Sequence, residues 1–249
     1  MQKVSKLLYI GGINSVEAQI KKAPDQIIEI IFNAQITNER IRNLILLSDE
    51  LRLRTKFLSN FEFEKIDKTN NQGVICLIKP LNSLNEQHLF QEKSNFISGE
   101  TILILDSIQD PMNLGAALRT ASACNLKTVV INKDGSTKIN QYVYKSSVGA
   151  ILDLNIFYVT NLSRIIEKLK ENEYWIVGLD GKSERDIFEQ KFNFNIALVV
   201  GSEGSGIRLN VKKKCDLLVK IPMSSQTESL NMSVAAGISL YEIFRQKNY

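Results

Sequence analysis

Histidine is almost absent from this 249-residue chain, with His88 the single example. Any mechanism that needs two histidines is thereby excluded. The cysteines are also few. Cys76, Cys124 and Cys215 lie far apart and never form a CxxC pair, so the ligand spacing of a structural zinc site is missing. Their odd number suits reduced core thiols rather than a disulfide framework. Long hydrophobic runs are missing too. Segments such as Thr101-Ile-Leu-Ile-Leu105 fall far short of the ~20 apolar residues that span a bilayer. The first residues, Met1-Gln-Lys-Val-Ser-Lys, lead straight into a short apolar stretch with no small-residue cleavage site, which predicts a cytoplasmic protein with no membrane partner. A strong charge of one sign is lacking as well. Lys and Arg number 31 against 27 Asp and Glu, and the excess is shared equally by the two sides of Glu100. A balance this mild permits nucleic-acid binding without establishing it. The one dense run, Lys212-Lys-Lys214, is either a solvated helix end or a phosphate contact.

Apolar residues make up 44% of the chain and charged residues 23%, enough to bury a core and too many to be disordered. The texture changes near Gly99, because ten of the thirteen glycines lie at or after it. Before it, apolar runs at 7–10, 26–32 and 74–78 read as strands, and stretches at 15–22 and 38–50 read as helices. In the second of these helices Asn38 is the expected N-cap. These elements predict a small α/β domain over residues 1–78. Residues 79–99, rich in interleaved polar residues, read as a linker with one helical turn around Glu86–Phe90. From residue 100 to 249 the pattern alternates. Strands are predicted at 101–106, 128–132, 155–159, 174–179, 195–201 and 217–221. Helices are predicted at 113–124, 140–147, 162–171, near 210–215 and from 231 to 246. Short apolar strands separated by helices imply a parallel sheet covered on both faces.

Three segments carry chemistry. The first is Asp106-Ser-Ile-Gln-Asp-Pro-Met-Asn-Leu-Gly-Ala-Ala-Leu-Arg-Thr-Ala121. Here Asp110-Pro111 breaks the strand, Asn113 can cap a helix, Gly115-Ala116-Ala117 make one face very small, and Arg119 projects from the first turns. As a surface feature alone, Arg119 would be an ion pair. The second is Ala197-Leu-Val-Val-Gly-Ser-Glu-Gly-Ser-Gly206, a glycine-rich strand exit where a backbone can approach a ligand. It spells neither GxGxxG nor a phosphate loop, since Gly201, Gly204 and Gly206 read GxxGxG and Ile207-Arg208 follow. The third runs from Lys220 to Gly237. Its stretch Ser224–Ser233 is mostly polar yet sits between an apolar strand and an apolar helix, so a polar ligand or a cap at Ser229 must satisfy it.

Together these segments resemble the SpoU (TrmH-type) family of SPOUT methyltransferases. The matches are Asn113-x-Gly115-Ala116-x-x-Arg119-Thr120, then Gly201-Ser-Glu203-Gly204-x-Gly206, then Ile221-Pro222-Met223 with Ser229-Leu230-Asn231-x-Ser233-x-Ala235, in the family's order and spacing. The resemblance implies a C-terminal parallel-sheet SPOUT domain with a deep trefoil knot, an exception to the rule against threaded chains. It implies a homodimer, S-adenosylmethionine as cofactor and no metal. It assigns catalytic roles to Asn113, Arg119, Glu203, Asn231 and Ser233, and cofactor binding to Val200, Gly201, Gly204, Ile221, Met223, Leu230 and Asn231.

The first 78 residues are similar to the small ribosomal-protein-like RNA-binding domain of the family's 23S rRNA guanosine 2′-O-methyltransferases. Gly12-Ile-Asn14 with Val16, and Asn71-Gln72-Gly73-Val74, carry that likeness. It implies RNA contacts at Asn71, Gln72, Lys145 and Arg119. Met112, Asn71 and Ile151-Leu152 depart from the residues common in relatives. The expected activity is methyl transfer from S-adenosylmethionine to a ribose 2′-hydroxyl, with a guanosine of 23S rRNA first. A tRNA guanosine is the alternative, as is a non-catalytic RNA-binding or ribosome-assembly protein that kept the fold.

Overall fold

The computed structural model describes residues 7–36, 38–66, 71–81, 84–86, 89, 101–224 and 229–249. His88, most of the segment expected to be a linker, and residues 225–228 of the polar loop lie outside these. The chain forms two compact units. One comprises Met1–Asn82 and Ile139–Leu152, the other Ser83–Lys138 and Asp153–Tyr249.

The first unit is a four-stranded mixed sheet with helices on it. Its elements run β1 (Leu8–Gly11), α1 (Ile13–Lys22), β2 (Ile27–Asn33), α2 (Glu39–Glu50), β3 (Thr55–Leu58), α3 (Asn60–Ile66) and β4 (Val74–Ile78). The strand order is β1-β4-β2-β3, with β2 and β3 parallel and the other pairs antiparallel. Asn38 caps α2 as expected, its side chain accepting the Ile41 N–H at 3.0 Å. Strand β3 and helix α3 have no counterpart in the sequence pattern. β3 is a four-residue edge strand that leaves Lys56 and Phe57 exposed, so it shows no apolar run. α3 is a short helix of about two turns, started by a capping box in which Ser59 and Glu62 bond each other's backbone N–H. Helix α5 (Gln141–Ser147) packs on β1 in this unit, and the Tyr144 hydroxyl accepts the Leu81 N–H at 3.3 Å.

The second unit holds seven parallel strands in the order β11-β9-β10-β6-β7-β8-β5. They are β5 (Leu84–Asn85), β6 (Thr101–Asp106), β7 (Thr128–Asn132), β8 (Asn155–Val159), β9 (Trp175–Leu179), β10 (Ile196–Gly201) and β11 (Leu217–Val219). Every residue of β6, β7 and β10 is buried, as strands covered on both faces require. The two-residue β5 is an addition to the six strands that the sequence pattern predicts. The helices are α4 (Pro111–Ala123), α6 (Leu162–Glu171), α7 (Leu209–Lys212) and α8 (Met232–Asn248), and α4 packs on α8. Leu240 of α8 is buried in the chain's own core, whereas Val234 and Tyr241 on the same helix are exposed. Successive strands run outward from β6 through β7 and β8, then the chain returns to build β9, β10 and β11 on the other side. The direction of winding therefore changes between β6 and β10, and in open parallel sheets ligands sit beyond the carboxyl ends of strands at such a point.

Among the described residues, no helix is long and apolar enough to cross a membrane.

Candidate active site

Three strand exits meet at the switch point. After β6, Asp110 caps α4 by accepting the Met112 N–H at 2.9 Å, and Pro111 occupies the first helical position. Proline needs no N–H partner there and its fixed φ starts the helix. The cap expected at Asn113 is thus Asp110, and Asn113 lies three residues inside with its carboxamide free for other work. That carboxamide donates to Glu203 Oε1 at 2.7 Å and accepts from Asn231 Nδ2 at 3.0 Å. Asn231 Nδ2 also donates to Glu203 Oε1. One carboxylate oxygen therefore collects two amide donors from segments 118 residues apart in sequence.

Asn231 does a second job. Its Oδ1 accepts the N–H of Ser233 at 2.9 Å and of Val234 at 3.4 Å, and the Ser233 hydroxyl at 2.6 Å. It is the N-cap of α8, the role that the sequence also allows for Ser229. A residue that caps a helix and reaches across to Glu203 with its amide nitrogen is held at both ends. Asn113, Glu203, Asn231 and Ser233 are consequently one hydrogen-bonded cluster. Arg119 is not part of it. It sits six residues beyond Asn113 on α4, which turns it about 120° away on a helix of 3.6 residues per turn. Its side chain is exposed and bonds none of the described residues.

Two clefts open on this cluster. One, of about 680 Å³ and open to solvent, is walled by Leu179, Val200, Val219, Ile221, Met223 and Leu230, with backbone offered by Gly181, Gly201 and Gly206. Asp180, Ser202, Glu203, Lys220, Ser229, Met232 and Ala235 complete it. The other, of about 770 Å³, is polar and includes Gln109, Asp110, Asn113, Gly204 and Ser205. Ser202, Glu203 and Met232 belong to both. Of the residues expected to bind cofactor, Val200, Gly201, Ile221, Met223 and Leu230 line the apolar cleft, and Gly204 lines the polar one. Asn231 acts through the cluster instead of the walls.

The glycine-rich exit is shaped by close approach. A Cβ on Gly201 would lie 2.0 Å from the Gly206 carbonyl carbon and 2.2 Å from the Ile207 nitrogen, distances that no side chain tolerates. Residues 202–206 fold back as a tight loop, with Ser202 and Gly206 exchanging backbone hydrogen bonds at 3.2 and 2.9 Å. Gly206 takes φ 66°, which an L side chain rarely adopts. At Gly181 and Gly206 an added Cβ would enter open space rather than protein, so these positions leave room beside the cleft for a ligand.

The sequence pattern did not single out Leu179, Asp180, Gly181 or Met232. The change from an apolar strand to Asp180-Gly181 at the end of β9 was the available signal. Burial pushes the Asp180 carboxyl up, but hydrogen bonds from Lys212 and from the Lys182 N–H outweigh it and leave it below the ordinary aspartate range. The thiols offer no nucleophile at neutral pH. Burial raises Cys124 to about 11, and burial with the neighbouring Asp216 carboxylate raises Cys215 to about 12. No group of three or more His, Cys, Asp or Glu able to hold a metal occurs among the described residues.

In the first unit, the two segments that carry its likeness meet. The exposed Gln72 offers Oε1 to the Ile13 N–H at 3.1 Å, beside Gly12. Asn71 is buried and its Oδ1 accepts the Gly73 N–H at 3.1 Å, closing the turn before β4. Lys145 is half-buried on α5.

Residues 100–241 match the SpoU rRNA methylase family, and residues 9–84 match the RNA 2′-O ribose methyltransferase substrate-binding domain. The 23S rRNA (guanosine-2′-O-)-methyltransferase RlmB of Coxiella burnetii is 35% identical over 98% of each chain. The enzyme of the same name from Escherichia coli K12 is 34% identical over 98% of this chain and all of its own. The fold is also that of the SpoU methyltransferase AviRb from Streptomyces viridochromogenes in complex with AdoMet, with a TM-score of 0.78 at 17% identity over 97% of this chain and 90% of that one. On the full-length likeness and the match of more than half its residues, the chain belongs to the SpoU rRNA methylase family.

Proposed function

We propose that this protein transfers a methyl group from S-adenosylmethionine to the ribose 2′-hydroxyl of a guanosine in 23S rRNA. The observation that carries the proposal is the pair of clefts joined at Glu203, one apolar and lined by backbone, the other polar. Methyl transfer needs the acceptor oxygen in direct line with the methyl–sulfur bond and nothing between them, so a donor pocket and an acceptor pocket must open into each other. The residues present fit the donor. The walls formed by Leu179, Val200, Ile221 and Leu230 suit an adenine ring, and the space beside Gly181 and Gly206 admits the rest of a nucleoside. When bound, S-adenosylmethionine supplies an activated methyl on a cationic sulfonium. Asn113 and Asn231 fix the Glu203 carboxylate at the junction, where its negative charge orients a cationic group without reorganisation. The choice of 23S rRNA rests on the named activity of full-length relatives and on the substrate-binding domain in residues 9–84.

Arg119 completes the site from a second copy of the chain. Its guanidinium cannot serve as a base, because its pKa exceeds about 12. It stabilises charge developing on the hydroxyl oxygen. Two observations support pairing across α4 and α8: Arg119 is exposed and apart from the Glu203 cluster, and Val234 and Tyr241 present apolar surface on α8. The likeness to the SpoU methyltransferase fold supports a knotted C-terminal segment.

Calorimetry with S-adenosylmethionine and mapping of 2′-O-methyl marks in 23S rRNA and tRNA from a deletion strain test this reading. Cofactor binding together with loss of one 23S guanosine mark is the expected result. An unchanged 23S profile with a missing tRNA mark would overturn the choice of substrate, and no cofactor binding at millimolar concentration would point to an RNA-binding protein without activity.

A further inference from the structure

The basic residues after the glycine-rich loop have a different task from the one their charge suggests. Arg208 follows Ile207 directly, and its backbone N–H donates to Asp106 Oδ2 at 2.9 Å while its Nε donates to Asp106 Oδ1 at 2.7 Å. Asp106 ends β6, stands in register with Gly201 of β10 and is fully buried. Four residues on, Lys212 pairs with Asp180 at the end of β9. Next to each cation, Ile207 and Val211 are buried in the core of the sheet, which anchors the segment that bears both. The segment that follows β10 is thus tied by its two cations to the carboxylate that ends β6 and to the one that follows β9, and the second of these, Asp180, lines the apolar cleft.

We propose that Arg208 and Lys212 are positioning residues for the cofactor, clasping the loop after β10 to β6 and the loop after β9 to α7, so that the cleft is shaped before the ligand arrives. The inference rests on the cofactor assignment made above. Its physical basis is preorganisation: a loop ordered during folding does not have to be ordered again on binding. Lys214 is paired with Glu167, so of the run Lys212–Lys214 two members are held inside the chain. A phosphate-contact role for Lys212 makes the opposite demand, a free ammonium at the surface.

Calorimetry with S-adenosylhomocysteine separates these roles, because it needs no turnover and no RNA. Lys212→Met keeps the stem, removes the charge and leaves Asp180 partly hydrated. Its Kd is expected to rise about tenfold, as when a charge-assisted bond is lost. The single-turnover rate at saturating cofactor should fall by a smaller factor, and the salt dependence of RNA binding should be unchanged. Arg208→Ala should raise Kd at least as much, with partial recovery in Arg208→Lys. Because Arg208→Ala strands a buried carboxylate and can prevent folding, the neutral pair D106N/R208Q is measured beside it, together with thermal unfolding of every variant. Unchanged S-adenosylhomocysteine affinity in folded Lys212→Met and D106N/R208Q would overturn the inference. So would a drop of about one in the RNA salt slope of Lys212→Met, which identifies a phosphate contact. A wild-type protein that fails to bind S-adenosylhomocysteine would instead locate the fault in the cofactor assignment.

Discussion

The two clefts that meet at Glu203 are built from different parts of the chain's chemistry. The apolar one is shaped by main chain and aliphatic walls, with glycine at Gly181, Gly201 and Gly206. The polar one is shaped by side chains, Gln109, Asp110, Asn113 and Ser205 among them. Main-chain recognition tolerates loss of a side chain and fails when a side chain is added. Side-chain recognition behaves in the reverse way. The contrast predicts which substitutions separate binding from reaction.

Gly201→Ala should have the largest effect. The added methyl meets backbone at 2.0 to 2.3 Å, and that backbone belongs to the Ser202–Gly206 turn and cannot rotate aside as a side chain would. Overpacking of an ordinary core costs about 1–3 kcal/mol, and a clash with main chain exceeds that range. S-adenosylmethionine binding is expected to vanish in calorimetry, with a clear fall in the unfolding midpoint. Retained affinity would show that the loop is looser than the geometry indicates and would erase the distinction between the clefts.

Arg119→Ala should act on the other side of the comparison. Cofactor affinity should stay within about twofold, while the single-turnover rate at saturating RNA falls by at least ~10², the scale of losing one preorganised electrostatic donor. Arg119→Lys should recover little, since an ammonium does not reproduce the planar fork. Near-normal turnover in Arg119→Ala would reduce the residue to an exposed surface cation and remove the need for a second copy at the site.

How far the sequence disclosed this arrangement depended on whether the signal was local. Thr101–Asp106, Thr128–Asn132, Asn155–Val159 and Val74–Ile78 are apolar runs bounded by breakers, and each is a strand over those residues. The cap at Asn38 was legible for the same reason, because its bond spans only three residues. β3 was not, since an edge strand with exposed Lys56 and Phe57 has no periodicity to read. Asn113 was identifiable as important, but the cap it could have made belongs to Asp110, which leaves Asn113 to bond Glu203. Asp180 and the Asp106–Arg208 pair were invisible, as their meaning lies in contacts between segments 32 and 102 residues apart that no spacing encodes.

Asn231→Ala tests the link between the clefts and should have an intermediate effect. Loss of an N-cap costs about 1 kcal/mol, which lowers the midpoint of a 150–250-residue protein by about 2–4 °C. The same change removes one of two amide donors from Glu203. Single-turnover rate should therefore fall more than cofactor affinity, because Asn231 touches the cluster and not the walls. Asn231→Ser restores a cap without the amide nitrogen, and it should recover the midpoint but not the rate. Equal recovery of both would mean that Asn231 matters only as a cap.

Gly204→Ala should have the smallest effect, and it sharpens the comparison most because it lies three residues from Gly201 in the same loop. Its added Cβ would meet nothing within 4 Å, and its φ lies outside the left-handed range. The midpoint should shift by no more than ~0.5 kcal/mol equivalent, the usual limit for surface substitutions. Gly204 lines the polar cleft only, so the calorimetric affinity for S-adenosylmethionine should be unchanged. Any loss should appear in the concentration of RNA needed for half-maximal rate, because the methyl protrudes where the acceptor enters. If Gly204→Ala weakened cofactor binding as Gly201→Ala does, the loop would respond as one mobile body and the two clefts would be a single site; if it changes only the RNA term, the boundary between them runs through Glu203.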